Sequence, residues 1–359
     1  MNHPRTGMPS RFFLPLAAAF FCVMMPVVAR ADADADWKKI TEMDAGPQSE
    51  AKTRDEALKL TLAHLAAQEK ALRAYITDYP GDAHGVEARM RLSHILSIQS
   101  DLEGKEELYD TALKILEDML ASPALPPEKK ADVSFARLTL FMHRVQNPGV
   151  KEREALLSQV MEFKKEYPSD SRNGEILAEI ASAYDDDPDK KRDLLTEAQR
   201  YASTPELKAR ISDDFKRLGL LGRPLDIKFS SVQGDQVDMA DYRGKVVLIY
   251  FFSGFSTPSI IGLQPVRDIA EELPKNQFQL IGISLDEKKE TVLAIINKMG
   301  LKCPVYFDAA GKGWDSALPR SLGINELPTV WLVDKKGRLR VLNAVNNTED
   351  LVKVLIQEN

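Results

Sequence analysis

Residues 246–264 read VVLIYFFSGFSTPSIIGLQ. Seven apolar residues, Val246 to Phe252, run without a polar break, the pattern of a strand buried on both faces. Ser256-Thr257-Pro258-Ser259 follows, small hydroxyl residues suited to a helix cap around a proline that a first helical turn tolerates. A second apolar segment with helical spacing begins there. The stretch predicts a buried strand that runs straight into a helix.

On the N-terminal side of this stretch, Leu221-Gly222-Arg223-Pro224 opens β-type patterning. Residues 226–229 and 236–239 flank Gln233-Gly234-Asp235 and read as a hairpin. On the C-terminal side the pattern predicts a strand over 278–285, a helix over 288–299 and a short strand over 305–307. A strand over 329–334 then turns at Lys335-Lys336-Gly337 into a strand over 338–344, and a helix over 348–356 closes the chain. Strands and helices alternate first and a hairpin follows, so the sheet is expected to be mixed.

Residues 220–359 resemble the exported thioredoxin-fold proteins of the TlpA/ResA type, within the redoxin (alkyl hydroperoxide reductase/thiol-specific antioxidant) superfamily. The resemblance rests on GKVVLIYFF (244–252), ISLDE (283–287) and LGINELPTVWLVDKKGRL (322–339). The family carries Trp-Cys-x-Pro-Cys at the helix start, where this chain has Phe255-Ser256-Thr257-Pro258-Ser259. The frame and the proline are kept, and both sulfurs are replaced by hydroxyls. Leu327-Pro328-Thr329 matches the family's cis-proline loop. The resemblance implies a cis Leu327–Pro328 bond and a groove for an extended peptide formed by Phe255, Ser256, Thr257, Pro258, Leu327 and Pro328. The residues alone also allow an ordinary trans proline at a strand start.

Chemistry at this site is narrowly bounded. In the family the first cysteine attacks as a thiolate, acidified at a helix N-terminus. A helix N-terminus supplies at most ~2 kcal/mol, a factor of roughly 30 in acidity, far too little to ionise Ser256 near neutral pH. A serine nucleophile then needs an adjacent base, and no histidine follows His143. With Ser259 in the second position there is no resolving thiol, so dithiol exchange is excluded. Tyr250 stands where dithiol relatives often keep a buried acid, and Gly262 where they often have Glu. Ser253 lies three residues before position 256, as a peroxidase pattern asks, but position 256 is not cysteine and no proline precedes it in 251–255.

Residues 1–31 read as an export signal. Arg5 and Arg11 precede an apolar run from Phe12 to Val28, and Ala29-Arg30-Ala31 closes it. Its removal takes three arginines and no acid, moving the net charge from −6 to about −9 and leaving no basic tract for nucleic acid. A periplasmic or extracellular location is expected, with no membrane association after cleavage. Only Cys303 then remains, which rules out an intramolecular disulfide.

Residues 32–48 read as a flexible, acidic lead. Residues 49–220 are rich in Ala, Leu, Glu, Lys and Arg at helical spacing, broken by Pro-containing turns. Tyr79-Pro80-x-Asp82 recurs 88 residues later as Tyr167-Pro168-x-Asp170, each followed by Glu and an apolar residue at matching distances. That offset is about two helical-hairpin units, which resembles a divergent tetratricopeptide-like array; an irregular helical bundle is the alternative. His64, His84, His94 and His143 share no metal-ligand spacing, and Asp185-Asp186-Asp187 with Asp189 lacks a calcium-loop pattern. No metal or other cofactor is expected.

The predicted architecture is a helical-repeat region (49–220) followed by an α/β thioredoxin-fold domain (221–359). Three readings of function stay open. The first is a redox-inactive module that binds a protein or extended peptide. The second is a thioredoxin-family oxidoreductase or peroxide-handling enzyme acting through Cys303, which requires that thiol to be exposed and acidified. In the third, the C-terminal domain is a structural cap for the helical array.

Overall fold

A computed structural model describes residues 27–144 and 149–358. The chain divides into two compact units, Met1–Arg137 and Leu138–Asn359. No helix among the described residues is long and apolar enough to cross a membrane. Of the expected export signal, residues 1–26 lie outside the described residues.

The first unit is helical: α1 (Val27–Glu42), α2 (Arg54–Asp78), α3 (Gly85–Glu103), α4 (Glu106–Ala121) and the start of α5 (Lys130–Arg144). The stretch 32–48, expected to be flexible, is corrected here. Helix α1 runs on to Glu42 and a 3₁₀ turn covers Met43–Ala45. Ala33, Trp37 and Ile40 recur at i, i+4 and i+7 and are buried. Trp37 stacks on His84 at 4.7 Å and tilts against Tyr75 at 5.2 Å. An apolar stripe on one face outweighs the acidic, small-residue composition between its members.

The second unit opens with the rest of α5, then α6 (Val150–Glu166), α7 (Asn173–Ser182), α8 (Pro188–Tyr201) and α9 (Pro205–Leu220). The two Tyr-Pro-x-Asp turns have the same local geometry. Tyr79 and Tyr167 end α2 and α6 with φ, ψ of −126°, 60° and −123°, 65°, and α3 and α7 begin 88 residues apart. The aspartates sit two residues before the helix cap position. Asp82 accepts from the His84 backbone N–H at 2.8 Å, and Asp170 from that of Arg172 at 2.9 Å. Asp187-Pro188 and Thr204-Pro205 are N-cap and first-turn pairs for α8 and α9. Asp185-Asp186-Asp187 lies in an inter-helix turn with its carboxylates engaged, Asp187 capping α8, Asp185 pairing with Lys191 and Asp186 with Arg153, while Asp189 falls in the first turn of α8.

The α/β part of this unit holds a hairpin, β1 (Lys228–Ser230) with β2 (Gln236–Asp238), and a five-stranded mixed sheet. The remaining elements are β3 (Val246–Phe252), α10 (Thr257–Glu272), β4 (Phe278–Ser284), α11 (Lys289–Met299), β5 (Val305–Tyr306), α12 (Ala317–Ser321), β6 (Thr329–Val333), β7 (Leu339–Val341) and α13 (Thr348–Gln357). The order is β5-β4-β3-β6-β7, with β4 parallel and β6 antiparallel to β3. This is a thioredoxin-like arrangement. Every residue of β3 is buried, and α10, α11 and α13 pack on the face of Val246, Leu248, Tyr250 and Phe252. The register sets Phe251 opposite Thr329, which brings the residue after Pro328 beside the end of β3. The stretch between α9 and β1 is pinned to β7. Gly222 N–H donates to the Leu339 carbonyl at 2.7 Å, and Leu339 N–H to that of Arg223 at 3.0 Å.

Candidate functional site

The sheet delivers β3 to a short loop before α10, buried at Ser253 and exposed at Gly254 and Phe255. Ser253 Oγ and Gly254 N–H both donate to Asp286 Oδ1, at 2.9 and 2.8 Å, and Ser284 Oγ donates to Oδ2 at 2.8 Å. Asp286 and Ser253 are buried, so a carboxylate at the end of β4 holds the loop from below. Ser253, a candidate peroxidase-pattern residue, spends its hydroxyl on this brace.

Ser256 caps α10, and Pro258 falls in the first turn. Ser256 Oγ accepts from the Ser259 backbone N–H at 3.4 Å and from Ser259 Oγ at 2.9 Å. Ser259 is fully buried. The two hydroxyls stand where the resemblance implies a dithiol, and they are hydrogen-bonded to each other. Neither has an imidazole or carboxylate partner among these bonds, so the pair has no base to make a nucleophile.

Beneath the helix start, the Tyr250 hydroxyl donates to the Ser259 carbonyl at 2.9 Å, and burial pushes its phenol above the ordinary value. A Cβ on Gly262 would lie 2.3 Å from that hydroxyl. Tyr250 and Gly262 are therefore one steric unit: the phenol fills the space that a side chain at 262 would occupy. Pro265, inside α10, has no N–H for the Ile261 carbonyl.

The Leu327–Pro328 bond is cis. Pro328, Thr257 and Pro258 line one cavity of about 860 Å³ together with Tyr250, Ile261, Gly262 and Pro265. Its far wall is the approach to α13, including Val345 and Thr348. Of the six residues expected to form the groove, Leu327 and Phe255 are not in this lining, and Ser256 lies next to it as the cap. Phe255 projects at 61% exposure and faces Trp314, also exposed, with ring centroids 6.5 Å apart. Trp314 and Val345 were not apparent in the sequence, because neither sits in a periodic element. Ile261 and Pro265 were within reach, since they follow Pro258 at helical intervals.

The cis-proline loop is held from α9. Arg217 Nη1 donates to the Gly323 carbonyl at 2.6 Å and to Asn325 Oδ1, and Nη2 pairs with Asp214. Asp214 lies 3.4 Å from Lys191 Nζ, and all three charged residues are buried. Gly323 has φ +73°, and a Cβ there would meet the Asp213 carbonyl oxygen at 2.6 Å, so only glycine permits this approach.

Cys303 is buried and lines a different cavity, with Tyr242, Lys245 and Lys302. Burial pushes its thiol up to about 12. Both properties are the reverse of what a one-cysteine active site requires. Among the described residues no group of three or more His, Cys, Asp or Glu is placed to hold a metal.

Comparison with known proteins finds likenesses in the C-terminal region. Residues 222–342 match the AhpC/TSA family. The thiol-disulfide oxidoreductase ResA of Geobacillus thermodenitrificans is 24% identical over 128 residues, 36% of this chain and 71% of the relative. ResA of Bacillus anthracis is 24% identical over 110 residues, 31% of this chain and 61% of the relative. Among solved structures, a thioredoxin-family thiol:disulfide interchange protein from Chlorobium tepidum is similar at 19% identity and a TM-score of 0.33. That match covers 37% of this chain and 97% of that one. A thiol-disulfide isomerase from Corynebacterium glutamicum gives 21% and 0.34, covering 38% and 98%. The C-terminal region is thus similar to the AhpC/TSA family and, at low identity, to ResA proteins, and a helical region precedes it.

Proposed function

We propose that the chain is an exported, redox-inactive thioredoxin-fold protein that binds an extended segment of another protein, with the helical region as a second interaction surface. One observation carries this reading. Where the resemblance implies a dithiol the site holds a hydrogen-bonded hydroxyl pair, and beside it stand the capped helix, the cis proline and an open cavity. β-augmentation and shape recognition need backbone, pockets and exposed apolar contacts, and no sulfur. Phe255, Ile261 and Trp314 offer such contacts at the mouth of the site. The enzyme reading through Cys303 lacks support, because its thiol is neither exposed nor acidified.

Two assays test the proposal together. Insulin-disulfide reduction and peroxide consumption by the purified protein are expected to equal the no-protein control, with Cys303→Ala unchanged. Binding of labelled extended peptides is expected to fall at least fivefold in Phe255→Ala or Ile261→Asp, the scale of one lost apolar anchor (roughly 1–2 kcal/mol). Activity above control that disappears in Cys303→Ala overturns the proposal.

A further inference from the structure

The cavity beside Pro328 has a chemical polarity along its length. Its α10 wall runs Pro258, Ile261, Pro265, Asp268, Glu272, residues spaced three or four apart on one helix face. The end near Pro258 and Pro328 is apolar. The other end carries Asp268 and Glu272, and Glu349 from the first turn of α13 lines the cavity across from α10. No lysine or arginine is among the lining residues. Arg267 and Lys353 stand beside it and pair with Asp268 and Glu349. Glu272 is exposed, and the Lys353 ammonium, held by Glu349, lies close enough to feel its charge. The whole chain is also acidic, which adds a long-range field of the same sign.

Length follows from the same wall. From Pro258 to Glu272 the helix rises ~21 Å at about 1.5 Å per residue. An extended segment covers that span in about six residues at ~3.3 Å each.

Resting on the reading above, we infer that the occupant is a cationic extended segment of about six residues, with apolar side chains over Ile261, Pro265 and Val345 and a Lys or Arg over Glu272. Acidic segments are rejected by like charge at the same end. The preference fixes direction as well as composition, because only one end of the groove is charged.

The test uses the full chain and fluorescent hexapeptides of equal apolar content that carry Lys at one end, Glu at the same end, or neither, read by anisotropy. The Lys peptide is expected to bind roughly three- to tenfold tighter than the Glu peptide, the scale of one or two exposed ion pairs. That margin is expected to shrink as salt rises from 20 to 300 mM. Glu272→Lys, at an exposed position, is expected to invert the preference, and Ile261→Asp to weaken all three peptides. Equal binding of Lys and Glu peptides, or a preference that Glu272→Lys leaves in place, overturns the charge inference while groove binding itself stands. Failure of every peptide to bind, or binding indifferent to Ile261→Asp, overturns the groove reading together with it.

Discussion

Two regions of the second unit bear on the loop that carries Pro328, and they are built from opposite materials. At the start of α10 the contacts are light: two serine hydroxyls bonded to each other, a proline and exposed apolar side chains. At α9 they are heavy: Arg217, Asp214 and Lys191, all buried, with the guanidinium clamped on the Gly323 carbonyl and Asn325. The side at the start of α10 holds two hydroxyls and no thiol. The side that only holds geometry keeps three desolvated charges, an arrangement that is expensive unless every partner is present. The contrast is one of materials: light hydroxyl and apolar contacts on one side, a buried charge cluster on the other.

Breaking the heavy side has the largest expected effect. Arg217→Met leaves Asp214 with a single cationic partner and strips the Gly323 carbonyl and Asn325 of their donor. Removing one member of a buried charged group costs about 3–5 kcal/mol. The urea midpoint is expected to drop accordingly, and hydrogen exchange is expected to rise over 322–329. Arg217→Lys restores the charge without the forked donor geometry and is expected to recover less than half of the loss. If Arg217→Met unfolds no more easily than the parent, the cluster does not hold the loop.

On the light side the largest effect comes from the floor. Gly262→Ala places a methyl 2.3 Å from the Tyr250 hydroxyl and is expected to cost about 1–3 kcal/mol through overpacking. Tyr250→Phe alone removes the bond to the Ser259 carbonyl, for about 1 kcal/mol. The double variant is expected to be more stable than Gly262→Ala alone, because the ring atom at Cζ lies 3.4 Å from the added methyl. Additive losses contradict the steric coupling of 250 and 262.

These two regions differ in how readable they are from sequence. The light side was nearly all legible, because it is local. Strand β3 spans Val246–Phe252 as its apolar run predicts, and α10 begins within a residue of the expected position. Leu327–Pro328 is cis as the resemblance implied. The heavy side was illegible: Arg217 and Asn325 are 108 residues apart, and Lys191, Asp214 and Arg217 look like ordinary charges on helices. Periodicity reports which face of an element is apolar and is silent about a charge that is buried because another element supplies its partner. Helix α1 failed for a related reason, since its stripe has only three members and Asp and Ala fill the gaps.

Ser256→Ala sharpens the contrast with a smaller effect. The cap is worth about 0.5–2 kcal/mol, and Ser259 loses the acceptor of its buried hydroxyl. Exchange is expected to rise in the first turn of α10 and to stay unchanged over 322–329. A change that spread to the cis-proline loop would mean that the two regions are not separately built.

The smallest effect at neutral pH belongs to Cys303, and it grows only in alkali. Its thiol is held at about 12 in the folded protein against an ordinary value of 9.0. Below about 9 both folded and unfolded chains keep the proton, so the stability contribution is complete. Between there and about 12 the unfolded chain releases the proton while the folded one keeps it. Folding is then progressively disfavoured as pH rises. Cys303→Ala removes this dependence, so its urea midpoint is expected to fall less steeply than that of the parent between pH 8 and 10.5. Lysines and tyrosines titrate in both proteins and cancel in the difference. A thiol reagent is expected to label the native protein slowly at pH 8 and the urea-unfolded chain at once. Fast native labelling, with parallel pH curves for the two proteins, would mean an accessible thiolate at Cys303 and a third region that bears on function.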